Sequence, residues 1–138
     1  TVHFKDGTAR DYDLILAATG YKLHYPFLDR AHLNWQGMAP SLYLNIFAPR
    51  FDRLAVLGMV EASGLGWQGR YEQAELVARY LKGLDEGRAS AAALKAAKAG
   101  PPPDLSGGYT YLQLERMAYY VNKDAYRKAV REAAAAQG

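Results

Sequence analysis

The 138-residue chain contains no cysteine, which excludes disulfides and thiolate chemistry. A reducing compartment suits such a composition, and a cytoplasmic location is the expectation. Histidine is scarce: His3, His24 and His32 share no spacing that suits a metal, so no metal site is expected. Charge of one sign is nearly absent as an excess, with 17 basic against 14 acidic residues and a net charge of +3. The basic residues are scattered rather than striped, which argues against a nucleic-acid partner. No apolar run approaches the roughly 18–20 residues that a helix needs to cross a bilayer. No signal-peptide pattern opens the chain, and no internal repeat is visible.

The length is enough for one domain with a core, and half of the residues are apolar. The sequence starts at Thr1 rather than at Met, directly in strand-like sequence. A fragment of a longer protein is therefore expected. "TVHFKDGTARDYD" reads as a hairpin, because Val2 and Phe4 alternate with polar neighbours around an Asp6-Gly7 turn. "DLILAATG" (13–20) is apolar on both faces, the pattern of a central strand covered on both sides. Residues 21–41 are irregular, with Pro26 and Pro40 as breakers. "SLYLNIF" (41–47) reads as a short strand or extended segment, and "RLAVLGMV" (53–60) as another buried strand.

A helix is expected from about Gly69 to Lys82, with Tyr71, Ala74, Val77, Ala78 and Leu81 on its inner face and Gly83 at its C-cap. "GRASAAALKAAKAG" (87–100) reads as a second, alanine-faced helix. Residues 101–108 carry "PPPD" and "SGG" and read as a linker. A helical tail follows over 109–138, in two stretches of about 109–121 and 123–136, with Asn122 as N-cap of the second. One tail stripe is Tyr111, Leu114, Ala118 and Val121; the other is Tyr126, Ala129, Val130 and Ala133. The fold class is α/β: a few strands with packed helices over residues 1–100, then linker and tail.

"GLGWQG" (64–69) spells G-x-G-x-x-G through Gly64, Gly66 and Gly69. A dinucleotide turn needs its first glycine at a strand end and, about 20 residues on, a second strand tipped by an acid. Here "EAS" separates the strand from Gly64, and Asp85 and Glu86 lead into an alanine-rich helix. The βαβ unit is not completed, so the motif reads as a turn feeding a helix. The start of that helix still presents unpaired N–H groups and about half a positive charge, a seat for an electron-rich group. The paired acids Asp11/Asp13 and Glu72/Glu75 read as solvated faces before they read as acid–base pairs. No Ser–His–Asp ordering stands out, and no catalytic residue is assigned.

Four ordered segments resemble the flavin-containing monooxygenase family. The first is "VHFKDG…DYDLILAATGYKLHYPFLD", with its A-T-G-Y tetrad at residues 18–21 and Pro26-Phe27-Leu28 after it. "LYLNIFAP" (42–49) and "LAVLGMV" (54–60) come next. The fourth, "EASGLGWQGRYEQAELVARYLKG" (61–83), leads into a helix carrying Gln73 and Arg79. Gln68-Gly69 departs from the family, where a proline often precedes the helix.

The resemblance covers about residues 2–84, with the tail resembling the family only loosely. It implies an enzyme with two dinucleotide-binding domains, one for FAD and one for NADPH. In such an enzyme a hydroperoxyflavin oxygenates nitrogen or sulfur, or ketones in Baeyer–Villiger relatives. This chain would then be the C-terminal part, inactive alone, with residues 1–20 returning from the NADPH domain. Its partners would be the missing N-terminal FAD and NADPH domains, and the exposed apolar surface of such a piece would drive homo-oligomerisation. Gly66, Trp67, Gln68, Gly69 and Arg70 are the expected flavin contacts, with Thr19 and Gly20 where the connecting strand ends. The competing expectation is a non-catalytic α/β interaction module derived from the same fold.

Overall fold

The Asp6-Gly7 turn forms as its sequence requires. Gly7 takes φ +86°, and the Asp6 carboxylate accepts from the backbone N–H of Thr8 at 2.9 Å. The turn joins β1 (Val2–His3) to β2 (Ala9–Arg10), paired antiparallel. A 3-10 helix (Arg30–Leu33) precedes a second antiparallel pair, β3 (Trp35–Gln36) and β4 (Ala39–Pro40). Among the described residues three helices follow: α1 (Gly66–Asp85), α2 (Ala89–Lys98) and α3 (Lys123–Ala136). This is a computed structural model, and it describes residues 1–111 and 117–138.

Among the described residues neither expected buried strand (13–20, 53–60) forms as a strand, and 41–47, expected as a short strand or extended segment, is a turn. Residues 13–20 have no strand partner among the described residues, and Leu14, Ile15 and Leu16 are 81%, 69% and 85% exposed. A central strand needs neighbours on both edges, and no described part of the chain supplies them. Residues 41–47 turn back on themselves: Tyr43 and Phe47 exchange N–H···O bonds of 3.0 Å, and Leu44 and Asn45 take φ +55° and +54°. Residues 53–60 touch this turn through two backbone bonds, Val56 N–H to Ile46 O at 2.8 Å and Ala48 N–H to Leu54 O at 3.2 Å. Gly58, at φ +87°, then bends the segment away before a ladder can extend.

Among the described residues α1, α2 and α3 come where helices are expected, with one correction of phase. α1 starts at Gly66, three residues early, and runs through Gly83 to Asp85, so Gly83 is not its cap. Its sequence is rich in good helix formers and free of proline. Its inner face is Gly69, Glu72, Gln73, Leu76, Tyr80 and Gly83, whereas Tyr71 and Ala78 are exposed. α3 starts where Asn122 accepts from the N–H groups of Asp124 (3.1 Å) and Ala125 (3.0 Å), the expected cap. Of the other expected tail helix (109–121), the middle, including Leu114, falls on residues outside those described; residues 109–111 and 118–121 are not helical.

The main core lies where α1, α2 and α3 meet the 44–47 turn. It contains Leu44, Ile46, Phe47, Val60, Leu65, Leu76, Tyr80, Leu94, Tyr126 and Val130. Tyr126 and Val130 face α1 one turn apart, which is how the tail helix reaches this core. A smaller cluster of Leu33, Leu42, Ala48 and Met59 packs with Tyr25 and Trp35. Between the two, Lys98 is 1% exposed. Its ammonium donates to the carbonyls of Ala48 (3.0 Å), Pro49 (3.3 Å) and Phe51 (3.0 Å), with Asp52 at 3.4 Å. Three carbonyls and one carboxylate satisfy a charge that burial would otherwise penalise.

Candidate functional site

α1 begins with an open end. Leu65 occupies the cap position and makes no side-chain cap bond. The first intrahelical bond runs from Gly69 N–H to Leu65 O at 3.1 Å, so the amides of residues 66–68 precede the helical ladder. Gly66 takes φ +55°, which favours glycine, and a Cβ built there meets no atom within 4 Å. Trp67 is 86% exposed.

The five expected contacts in this stretch share one turn but differ in setting. Gly66, Trp67, Gln68 and Arg70 are exposed, whereas Gly69 is buried. A Cβ on Gly69 would lie 2.3 Å from Leu65 Cγ, so glycine there lets Leu65 fold over the helix. Arg70 donates to Gly66 O at 2.9 Å, and its guanidinium sits 5.5 Å from the Trp67 ring centroid. Thr19 and Gly20 are not brought to this turn. They lie on the exposed run, and Gly20 (φ +80°) lines a cavity of about 270 Å³ with Tyr21, Glu61, Met117, Tyr119 and Tyr120.

Behind the open end, α1 buries two polar side chains. Gln73 is 0% exposed. Its carbonyl oxygen accepts from Gly58 N–H at 2.8 Å, and its amide donates to Tyr126 Oη at 2.5 Å. The Tyr126 hydroxyl donates onward to Leu44 O at 2.9 Å. Burial pushes the Tyr126 hydroxyl up to about 12, against the opposing pull of Gln73.

Glu72 receives Arg127 bidentately, Nη2 at 2.6 Å and Nε at 3.1 Å, and Arg131 Nη2 at 2.8 Å. The Gln68 amide reaches the same carboxylate at 3.4 Å. Hydrogen bonding from Arg127 above all, then from Arg131 and Gln68, holds Glu72 down to about 2 although burial opposes it. Glu75 pairs with Arg79 at 2.6 Å on the same helix. Glu72 and Glu75 are thus ion-paired acids. Sequence reasoning placed Glu72 on a solvated face; its buried setting depends on arginines more than 50 positions away. Among the described residues no cluster of His, Asp or Glu could hold a metal ion.

The three helices and two small two-stranded sheets of the described residues fit part of an α/β flavoprotein. A family model described as flavin-binding monooxygenase-like matches residues 1–99. The chain belongs to that family, whose named members are flavoprotein monooxygenases. It is similar to flavin-containing monooxygenase 2 of Homo sapiens, 36% identical over 84 residues, which cover 59% of this chain and 16% of that protein. Dimethylaniline monooxygenase (N-oxide-forming) 2 of Pan troglodytes matches to the same extent. Flavin-containing monooxygenase 3 of Rattus norvegicus is 34% identical over 83 residues, 58% of this chain and 16% of its own. The chain thus spans about 16% of the length of these curated relatives. No solved structure matches it.

Proposed function

We propose that this chain is the C-terminal part of an FAD- and NADPH-dependent monooxygenase and is inactive alone. The larger enzyme would hold two dinucleotide-binding domains and oxygenate nitrogen, sulfur or ketone centres. The name of the Pan troglodytes relative, which specifies N-oxide formation, favours nitrogen. The observation that carries the reading is the run 13–20. It has the sequence of an interior strand, no strand beside it among the described residues, and leucine side chains above 80% exposed. Such a run belongs in a sheet whose neighbours come from elsewhere.

The residues at the start of α1 fit the electron-rich pyrimidine edge of a flavin. Amides ahead of the ladder, no side-chain cap and open space at Gly66 leave room for it. FAD, when bound, would supply the activation of oxygen, with reducing equivalents from NADPH. This chain would contribute the electropositive seat, the Gln68 amide as a polar contact, and the Trp67 ring as a cover against water. Thr19 and Gly20 would carry the backbone between the two nucleotide domains. In isolation the exposed run would make the chain self-associate, and a monomer by sedimentation at high concentration would count against that.

The decisive experiment expresses the whole gene and measures a flavin spectrum together with NADPH oxidation. A yellow protein that oxidises NADPH is the expected result. A colourless full-length protein that ignores FAD would overturn the reading and leave a non-catalytic interaction module.

A further inference from the structure

The family match ends at residue 99, yet the polar groups behind the open end of α1 are held from residues 126–131. We infer that α3 is a positioning clamp for the amino end of α1, acting through Tyr126 on Gln73 and through Arg127 and Arg131 on Glu72. The inference rests on the reading of that end as the flavin seat.

Two independent ties meet one turn behind the seat. Glu72 lies four residues after Gln68 and bonds both the Gln68 amide and the two arginines of α3. Gln73 fixes the Gly58 amide on one side and Tyr126 on the other, and a Cβ at Gly58 would lie 3.5 Å from Arg70 Nε. The first turn of α1 is thereby set between the 58–64 segment and the tail helix. Its own cap makes no side-chain bond, so its register depends on these ties. Tyr126 and the arginines touch neither Trp67 nor Gly66 among the contacts described. They are positioning residues, and they act through Glu72 and Gln73.

The test uses the full-length protein and two variants, Arg127→Ala/Arg131→Ala and the milder Tyr126→Phe. Hydrogen–deuterium exchange is read at Gly58 and residues 69–73, with residues 91–94 of α2 as the internal reference, and FAD binding is read by flavin fluorescence. Exchange at Gly58 and residues 69–73 is expected to quicken about tenfold with α2 unchanged, and the FAD dissociation constant to rise about tenfold. Uniform acceleration that includes α2, or no acceleration, would overturn the clamp. Faster exchange with unchanged FAD affinity would overturn its positioning role. A wild type that takes up no FAD would defeat the flavin reading alone, because the exchange measurement still decides whether α3 holds α1.

Discussion

Residues 13–20 and residues 42–48 are both largely apolar, yet they end in opposite surroundings. Leu14 and Leu16 are more than 80% exposed, whereas Leu44, Ile46, Phe47 and Ala48 are at most 2% exposed. The second segment turns on itself and meets α1 and α3 directly. The first has the composition of a core strand and, among the described residues, no strand to lie against. Apolar content sets what a segment can gain by burial; a partner surface decides whether it gains it.

Truncating one leucine in each setting tests this contrast with the largest expected difference. Leu76→Ala should cost about 2–5 kcal/mol, read as a lower urea midpoint of this chain. Leu16→Ala should stay within about 0.5 kcal/mol in the same chain. In the whole protein Leu16→Ala should rise to about 2 kcal/mol or more, as burial against the supplied sheet requires. Equal effects of Leu16→Ala in both settings would break the comparison.

The same contrast exists between two lysines one helical turn apart. Lys98→Met leaves three backbone carbonyls without their donor and should cost about 3 kcal/mol. Lys95→Met, at a half-exposed pair with Asp52, should cost less than about 1 kcal/mol. Thermal unfolding of both variants reads the difference.

Acid sharpens the comparison further, because the packed half holds the clamped carboxylate. The folded pKa of Glu72 is depressed from 4.5 to about 2. The stability it contributes is therefore complete above about pH 4.5 and is lost as pH falls toward about 2. The loss should amount to about 3 kcal/mol in urea titrations across that window. Glu72→Gln should flatten that limb, and an unchanged slope would show that the arginines do not stabilise the ionised form. Asn122→Ala should cost about 1 kcal/mol, with loss of helical circular dichroism from the tail.

What was legible in the sequence was local. The Asp6-Gly7 hairpin, the Asn122 cap and the existence of three described helices rest on neighbours in sequence, and the structure places them as expected. The fate of 13–20 and 53–60, expected as strands, and of 41–47, expected as strand or extended segment, was not legible, because a strand forms only with a partner, and the partners are either irregular turns or not among the described residues. The inner face of α1 was read from its apolar residues. Glu72 and Gln73 occupy it because Arg127, Arg131 and Tyr126 satisfy them from far along the chain. Lys98 escaped for the same reason, since no pattern in an alanine-rich helix announces a carbonyl cage. The α1 turn was picked out by its glycines and by the family resemblance; its open geometry became visible only with the Leu65 cap and the Gly66 backbone.

The cage around Lys98 has a practical consequence. An amine-acylating reagent should modify Lys95 on mixing and spare Lys98 for as long as the carbonyls of Ala48, Pro49 and Phe51 enclose it. Label appearing at Lys98 would then time the opening of the helical half, turning one side chain into a chemical clock for the molecule's breathing.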